Sequence, residues 1–227
     1  MSKKQTYLTL FLLFLLAPLL AFAAPSETFT LDKEYKLVAH PAPRNQPGKV
    51  EVLEFFSYGC PACSAIEPAV EAWLITKPKN VDFERVPVIF HPEWYVLAKA
   101  YYVAKNLHIA NRMTPLLFTA IHVNHQDLTS KNTLQLLFQT QGVSRETFEG
   151  NYDFSPSIDA QVYRAESLQR QFALFRIPTF IVDGTYETSI GMAGGDPKRM
   201  MKVIDFLIAQ QQKKMAAPLP PQPTQKK

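Results

Sequence analysis

The sequence predicts an α/β fold with an inserted helical domain, and three observations carry that expectation. First, an apolar, β-branched and aromatic run, Val50–Phe56, is followed from Pro61 by residues at helix spacing and then by a second strand-like run, Val81–Phe90. Strand, helix, strand is the start of a βαβ unit. Second, roughly 80 residues of helix-period stripes come next. Third, the chain returns to short strands, Thr179–Val182 and Tyr186–Ile190, joined by the two-residue hairpin turn Asp183-Gly184 and followed by a last helix.

The elements follow in order. Lys3 and Lys4 precede an apolar run, Leu8–Leu20, and then Ala21-Phe22-Ala23. A basic start, a short apolar stretch and small residues two apart make a secretory signal peptide over residues 1–23, with cleavage after Ala23 or Ala24. Taken as a membrane anchor, the run is short of the about 20 residues a bilayer span needs. The expectation is an exported, soluble protein, most simply in a bacterial periplasm. Without Lys3 and Lys4 the formal charge falls from +4 to +2. That charge is too weak, and basic stripes with interleaved aromatics too absent, to argue for nucleic acid. A hydrophobic content of 47% can build one good core.

The first helix carries Ala65, Ile66, Ala69, Val70 and Trp73 on one face, with Pro61 in its first turn, where a missing N–H costs nothing. In the helical block the stripes are Trp94, Leu97, Ala98, Tyr101; then Met113, Leu116, Leu117, Ala120, Ile121; then Leu134, Leu137, Phe138, stopping at Gly142. Ser155-Pro156 opens a helix through Val162 and Leu168 to Phe172, and Asp196-Pro197 caps a last one faced by Met200, Met201, Ile204, Leu207 and Ile208. These stripes read as core packing. The domains are then 34–91 with 173–212, the helical insertion 92–172, and a disordered tail 216–227 rich in Pro, Gln and Lys.

The only two cysteines, Cys60 and Cys63, have Pro61 and Ala62 between them. A structural staple is one reading, but closing so short a loop gives about 2 kcal/mol, against roughly 3 for a 15-residue loop. A structural zinc is another, but it wants four ligands, and the nearest histidines in sequence are His40 and His91. The third is a redox pair, and it fits an oxidising compartment best. Cys60 falls at a helix N-terminus, where free N–H groups and the helix dipole favour a thiolate and lower its pKa. Cys63 lies one turn on, facing the core. One sulfur exposed and reactive, one buried and resolving, suits redox work.

A C-x-x-C at a helix N-terminus after an apolar strand, with a later hairpin preceded by Ile177-Pro178, resembles a thioredoxin-like fold. The segment "LEFFSYGCPACSAIEP" resembles the active-site segment of the DsbA family of secreted thiol:disulfide oxidoreductases, which inserts a helical domain into that fold. The resemblance spans about residues 34–212 and leaves out the tail. It implies an enzyme that introduces disulfide bonds into unfolded exported proteins through a Cys60–Cys63 disulfide. No metal or cofactor is expected, and the resemblance implies reoxidation by a membrane, quinone-linked partner of the DsbB type. It also implies that Pro178 is cis, although by sequence alone it reads as trans at a strand start, and that Ile177 presents its backbone to an extended substrate. Glu54 matches a buried acid that accepts a proton from Cys63; the competing reading is an exposed face of an edge strand. Tyr58, Ile177 and Pro178 form the expected rim of the substrate surface, with Pro61 and Ala62 between the cysteines. The family's best-known motif has a histidine between its cysteines. Alanine cannot stabilise the thiolate as histidine does, so a less oxidising pair is expected. A disulfide isomerase needs a dimer, and residues 24–33 leave no room for a dimerisation domain, so a monomer is expected. A disulfide isomerase or a reductase of the same fold, and a chaperone-like peptide-binding module, stay open.

Overall fold

β2, Val50–Phe56, is the strand around which the molecule is arranged. In the computed structural model, which describes residues 27–41 and 48–216, every residue of β2 except Glu51 is buried. A strand covered on both faces reads as a near-continuous apolar run, and VEVLEFF does so apart from its two glutamates. The expected signal segment and residues 217–227 of the expected tail lie outside the described residues; Ala216 ends the last helix.

The other strands are β1 (Lys36–Leu37), β3 (Val81–Pro87), β4 (Thr179–Val182) and β5 (Tyr186–Ser189), in the sheet order β1-β5-β4-β2-β3. β2 and β3 run parallel and the other neighbours are antiparallel. At the hairpin Asp183 and Gly184 both have positive φ, 50° and 55°, the pair a type I′ turn requires. β3 is shorter than Val81–Phe90 because its partner ends: Phe56 pairs with Pro87, one further bond runs from Val88 N–H to the Phe56 carbonyl, and Ile89 N–H turns to Gln169 Oε1. β5 stops one residue short of Ile190 because Ser189 already pairs with Thr179, the first residue of β4.

Among the described residues there are seven helices: α1 (Pro61–Thr76), α2 (Trp94–Asn106), α3 (Ala110–His122), α4 (Lys131–Thr140), α5 (Arg145–Phe154), α6 (Pro156–Gln171) and α7 (Pro197–Ala216). α5 and β1 were not among the expected elements. α5 has few apolar residues to make a stripe, and its start is set by Ser144, whose Oγ accepts from Thr147 N–H. The N-cap at Asp196 is as expected, its Oδ1 accepting from Lys198 and Arg199 N–H.

Two cores result. On one face of the sheet Val50, Val52 and Phe180 pack with Ile66 and Val70 of α1 and Met200, Ile204 and Leu207 of α7. Trp73 Nε1–H donates to Asp205 Oδ1 at 2.8 Å and ties α1 to α7. On the other, Leu53 and Phe55 pack with Tyr101, Met113, Leu117, Phe138 and Phe148 of the helical insertion. α3 of the insertion also packs against α1, so the helix that begins at the cysteines is touched by both parts.

Candidate active site

β2 hands the chain to α1 through a four-residue turn. Cys60 N–H donates to the Ser57 carbonyl at 3.1 Å, and Gly59 N–H to Ser57 Oγ at 3.2 Å. Cys60 is the N-cap of α1, with φ −93° and ψ 114°, and its sulfur takes the place of a capping oxygen: Cys63 N–H donates to Cys60 Sγ at 3.3 Å. Both cysteines are free thiols. Cys60 is less exposed than the expected reactive sulfur, at 6%, and Cys63 is sealed at 1%.

Their environments push them apart. The Cys63 thiol is the main group holding the Cys60 pKa down, with the N–H groups of Cys63 and Ala62 adding to it; against desolvation they bring it from 9.0 to about 7. These first-turn N–H groups are the local form of the helix N-terminal field. Burial pushes the Cys63 thiol far up, and the Cys60 sulfur and Glu54 push it in the same direction. The dithiol is therefore one ready thiolate and one held proton.

The surface around Cys60 is small. Pro61 and Ala62 are exposed, Ile177 is half-buried and Pro178 is buried. The Ile177–Pro178 bond is cis, and the Ile177 carbonyl lies 3.9 Å from Cys60 Sγ. Tyr58 is a correction. It is not on the rim but 1% exposed, its ring edge-on to Phe56 and Phe118 at 5.1 Å each and its hydroxyl 2.9 Å from Thr114 Oγ1. α3 supplies both an aromatic wall and a hydrogen-bond partner, so the ring can be buried without an unsatisfied hydroxyl. Gly59 lies against the insertion too: a Cβ there would sit 2.4 Å from Trp94 Nε1.

Beneath the cysteines, Glu54 is 1% exposed on a central strand, which rules out the edge-strand reading. It accepts from Arg85 Nε at 2.8 Å. The pairing follows from register, since Glu54 and Arg85 are opposed on the parallel strands β2 and β3. Arg85 also reaches α1, donating through one terminal nitrogen to Glu67 at 2.8 and 3.0 Å and to Glu71 at 3.1 Å. Glu67 lies one helical turn beyond Cys63 on the same face. Burial raises the pKa of Glu54, opposed by Arg85, and pushes Glu67 up to about 8. Arg85, Glu67 and Glu71 escaped the sequence reading. The available signal was an Arg at the fifth position of β3 facing a Glu at the fifth position of β2.

Among the described residues no cluster of His, Cys, Asp and Glu could hold a metal, and no helix is long and apolar enough to cross a membrane. A dithiol split into a low-pKa and a buried sulfur at a helix start, beside a cis-proline loop, defines a thiol:disulfide oxidoreductase of the thioredoxin-like fold with a helical insertion. The chain belongs to the DsbA-like thioredoxin family: the family model for the DSBA-like thioredoxin domain matches residues 79–203. It is 34% identical over 193 residues to the thiol:disulfide interchange protein DsbA of Pseudomonas aeruginosa, covering 85% of this chain and 90% of that one. It is 36% identical over 212 residues to the protein of the same name from Burkholderia cepacia, covering 93% and 99%. The crystal structure of Pseudomonas aeruginosa DsbA superposes with a TM-score of 0.77 at 33% identity, over 82% of this chain and 96% of that one. That of the oxidoreductase DsbA from Xylella fastidiosa gives 0.72 at 26% identity, over 79% and 96%.

Proposed function

We propose that this chain acts in the periplasm as a monomer, donating its Cys60–Cys63 disulfide to unfolded exported proteins. The observation that carries this reading is the asymmetry of the two sulfurs. A substrate thiolate attacks Cys60 Sγ of the disulfide, and the electron pair of the broken S–S bond leaves on Cys63, which takes up a proton. A second substrate thiolate then attacks the substrate sulfur of the mixed disulfide and expels Cys60 as thiolate. The substrate loses two electrons and the enzyme gains them as a dithiol. A pKa of about 7 makes Cys60 a good leaving group near neutral pH.

Glu54 exchanges that proton with Cys63. The cis-proline loop, through Ile177 and Pro178, lines up the substrate backbone, with Pro61 and Ala62 as the exposed floor. Neither Pro61 nor Ala62 has a side-chain donor, so the thiolate depends on Cys63 and the first-turn N–H groups. That supports an oxidant weaker than one with a histidine at this position. A membrane, quinone-linked reoxidase of the DsbB type takes the electrons from the dithiol.

The test is to follow oxidation of a reduced, unfolded substrate by the enzyme and by Cys60→Ser, and to equilibrate the pair with glutathione buffers. Turnover should vanish in Cys60→Ser. The potential should lie nearer about −120 mV than about −270 mV, the thioredoxin end of the scale. Surviving turnover, or a potential at the thioredoxin end, would overturn the reading.

A further inference from the structure

A turn as tight as Ser57–Cys60 has one soft choice, the orientation of its central peptide plane. Here that plane joins Tyr58 to Gly59, and it is held on both sides. Gly59 N–H donates to Ser57 Oγ at 3.2 Å, and the Tyr58 carbonyl lies 2.8 Å from His122 Nε2. A carbonyl oxygen can only accept, so Nε2 carries the proton; the neutral Nε2–H tautomer and the imidazolium both satisfy this. His122 is the last residue of α3. The same helix holds the Tyr58 hydroxyl through Thr114, and its Phe118 sits 5.1 Å from the Tyr58 ring and 6.2 Å from the His122 ring.

We infer that His122 is a positioning residue for the reactive sulfur: its Nε2–H fixes the Tyr58–Gly59 peptide so that Cys60 Sγ stays over the first-turn N–H groups of α1. The geometry leaves little slack. The Cys63 N–H to Cys60 Sγ contact is already 3.3 Å, and the next peptide carries the Cys60 N–H bonded to Ser57 O at 3.1 Å. Rotating the Tyr58–Gly59 plane breaks the bonds on both its sides and loosens the turn that delivers Cys60 to the helix end. The inference rests on Cys60 being the sulfur that substrates attack.

The experiment compares His122→Phe, which keeps a ring against Phe118 but donates nothing, with His122→Gln, which keeps an N–H at a similar reach. The readouts, on the full chain, are the ultraviolet thiolate titration of the dithiol and the equilibrium constant with glutathione. His122→Phe should move the titration midpoint up by about half a pKa unit, and with it weaken the disulfide as an oxidant about threefold, since one unit is tenfold. His122→Gln should stay close to the parent. Should the Phe variant not fold, His122→Asn, whose amide stops short of the Tyr58 carbonyl, should show the same shift. A donor-less variant that titrates and equilibrates like the parent would overturn the inference, as would a Gln variant shifted as far as the Phe variant. Turnover surviving in Cys60→Ser would instead overturn the assignment beneath it, so the two failures are distinct.

Discussion

Replacing Arg85 with Met should destabilise the reduced protein by about 3–5 kcal/mol near neutral pH, the cost of leaving a buried ion group without its partner. The structure sets the size. Arg85 is the cation shared by Glu54 and Glu67, both buried, and by the half-exposed Glu71. Methionine fills much of the space and supplies none of the charge. With a urea dependence of about 2 kcal/mol per molar, the unfolding midpoint should fall by about 1.5–2.5 M. The pH dependence gives the sign. Burial raises the pKa of Glu54, and brings Glu67 from 4.5 to about 8, so between those values the folded protein holds a proton the unfolded chain has released. The stability this confers is fully present below about 4.5 and is lost as pH rises towards 8. Arg85 opposes that rise; without it both carboxyls move further up and the loss with pH deepens. Urea unfolding of parent and variant at about pH 7 and about pH 9, either side of the Glu67 value, should therefore show a gap that narrows on the acid side. A gap below about 1 kcal/mol at the higher pH, the value of an exposed pair, would refute the reasoning. So would a gap no smaller at the lower pH.

Two further predictions concern the turn and the thiols. Gly59→Ala places a methyl 2.4 Å from Trp94 Nε1, on a rigid ring, and should cost about 1–3 kcal/mol by overpacking; a Gly59→Ala, Trp94→Ala double mutant should lose less than the sum of the single losses, and strictly additive thermal-melting losses would contradict the contact. Brief alkylation of the reduced protein at neutral pH should modify Cys60, about half ionised there, and spare Cys63, whose thiol burial holds up; mass mapping that finds both labelled at similar rates would contradict the asymmetry.

Much of this architecture was legible in the sequence, for physical reasons. β2 reads as a strand because both faces are covered, and α1 begins at Pro61 because proline suits a first turn. Asp183-Gly184 specifies its turn because both residues tolerate positive φ. What was not legible depends on pairing. The ends of β3 and β5 are set by where β2 and β4 run out of partners, which no local pattern carries. β1 is two residues long and exists only against β5. Tyr58 shows the same limit in the site: next to a reactive loop an aromatic reads as surface, and only the arrival of Phe118 and Thr114, some 60 residues later, buries it. Arg85 looked like one charge in a strand until register set it against Glu54.

The turn between β2 and α1 meets the insertion through Trp94 at Gly59 and through α3 at Tyr58. The helical insertion is therefore not a detachable ornament on a redox core. Exchanging it between relatives, with Cys-Pro-Ala-Cys left untouched, should change how readily the cysteines surrender their disulfide. Lineages can tune the chemistry from a segment that lies outside the cysteine motif.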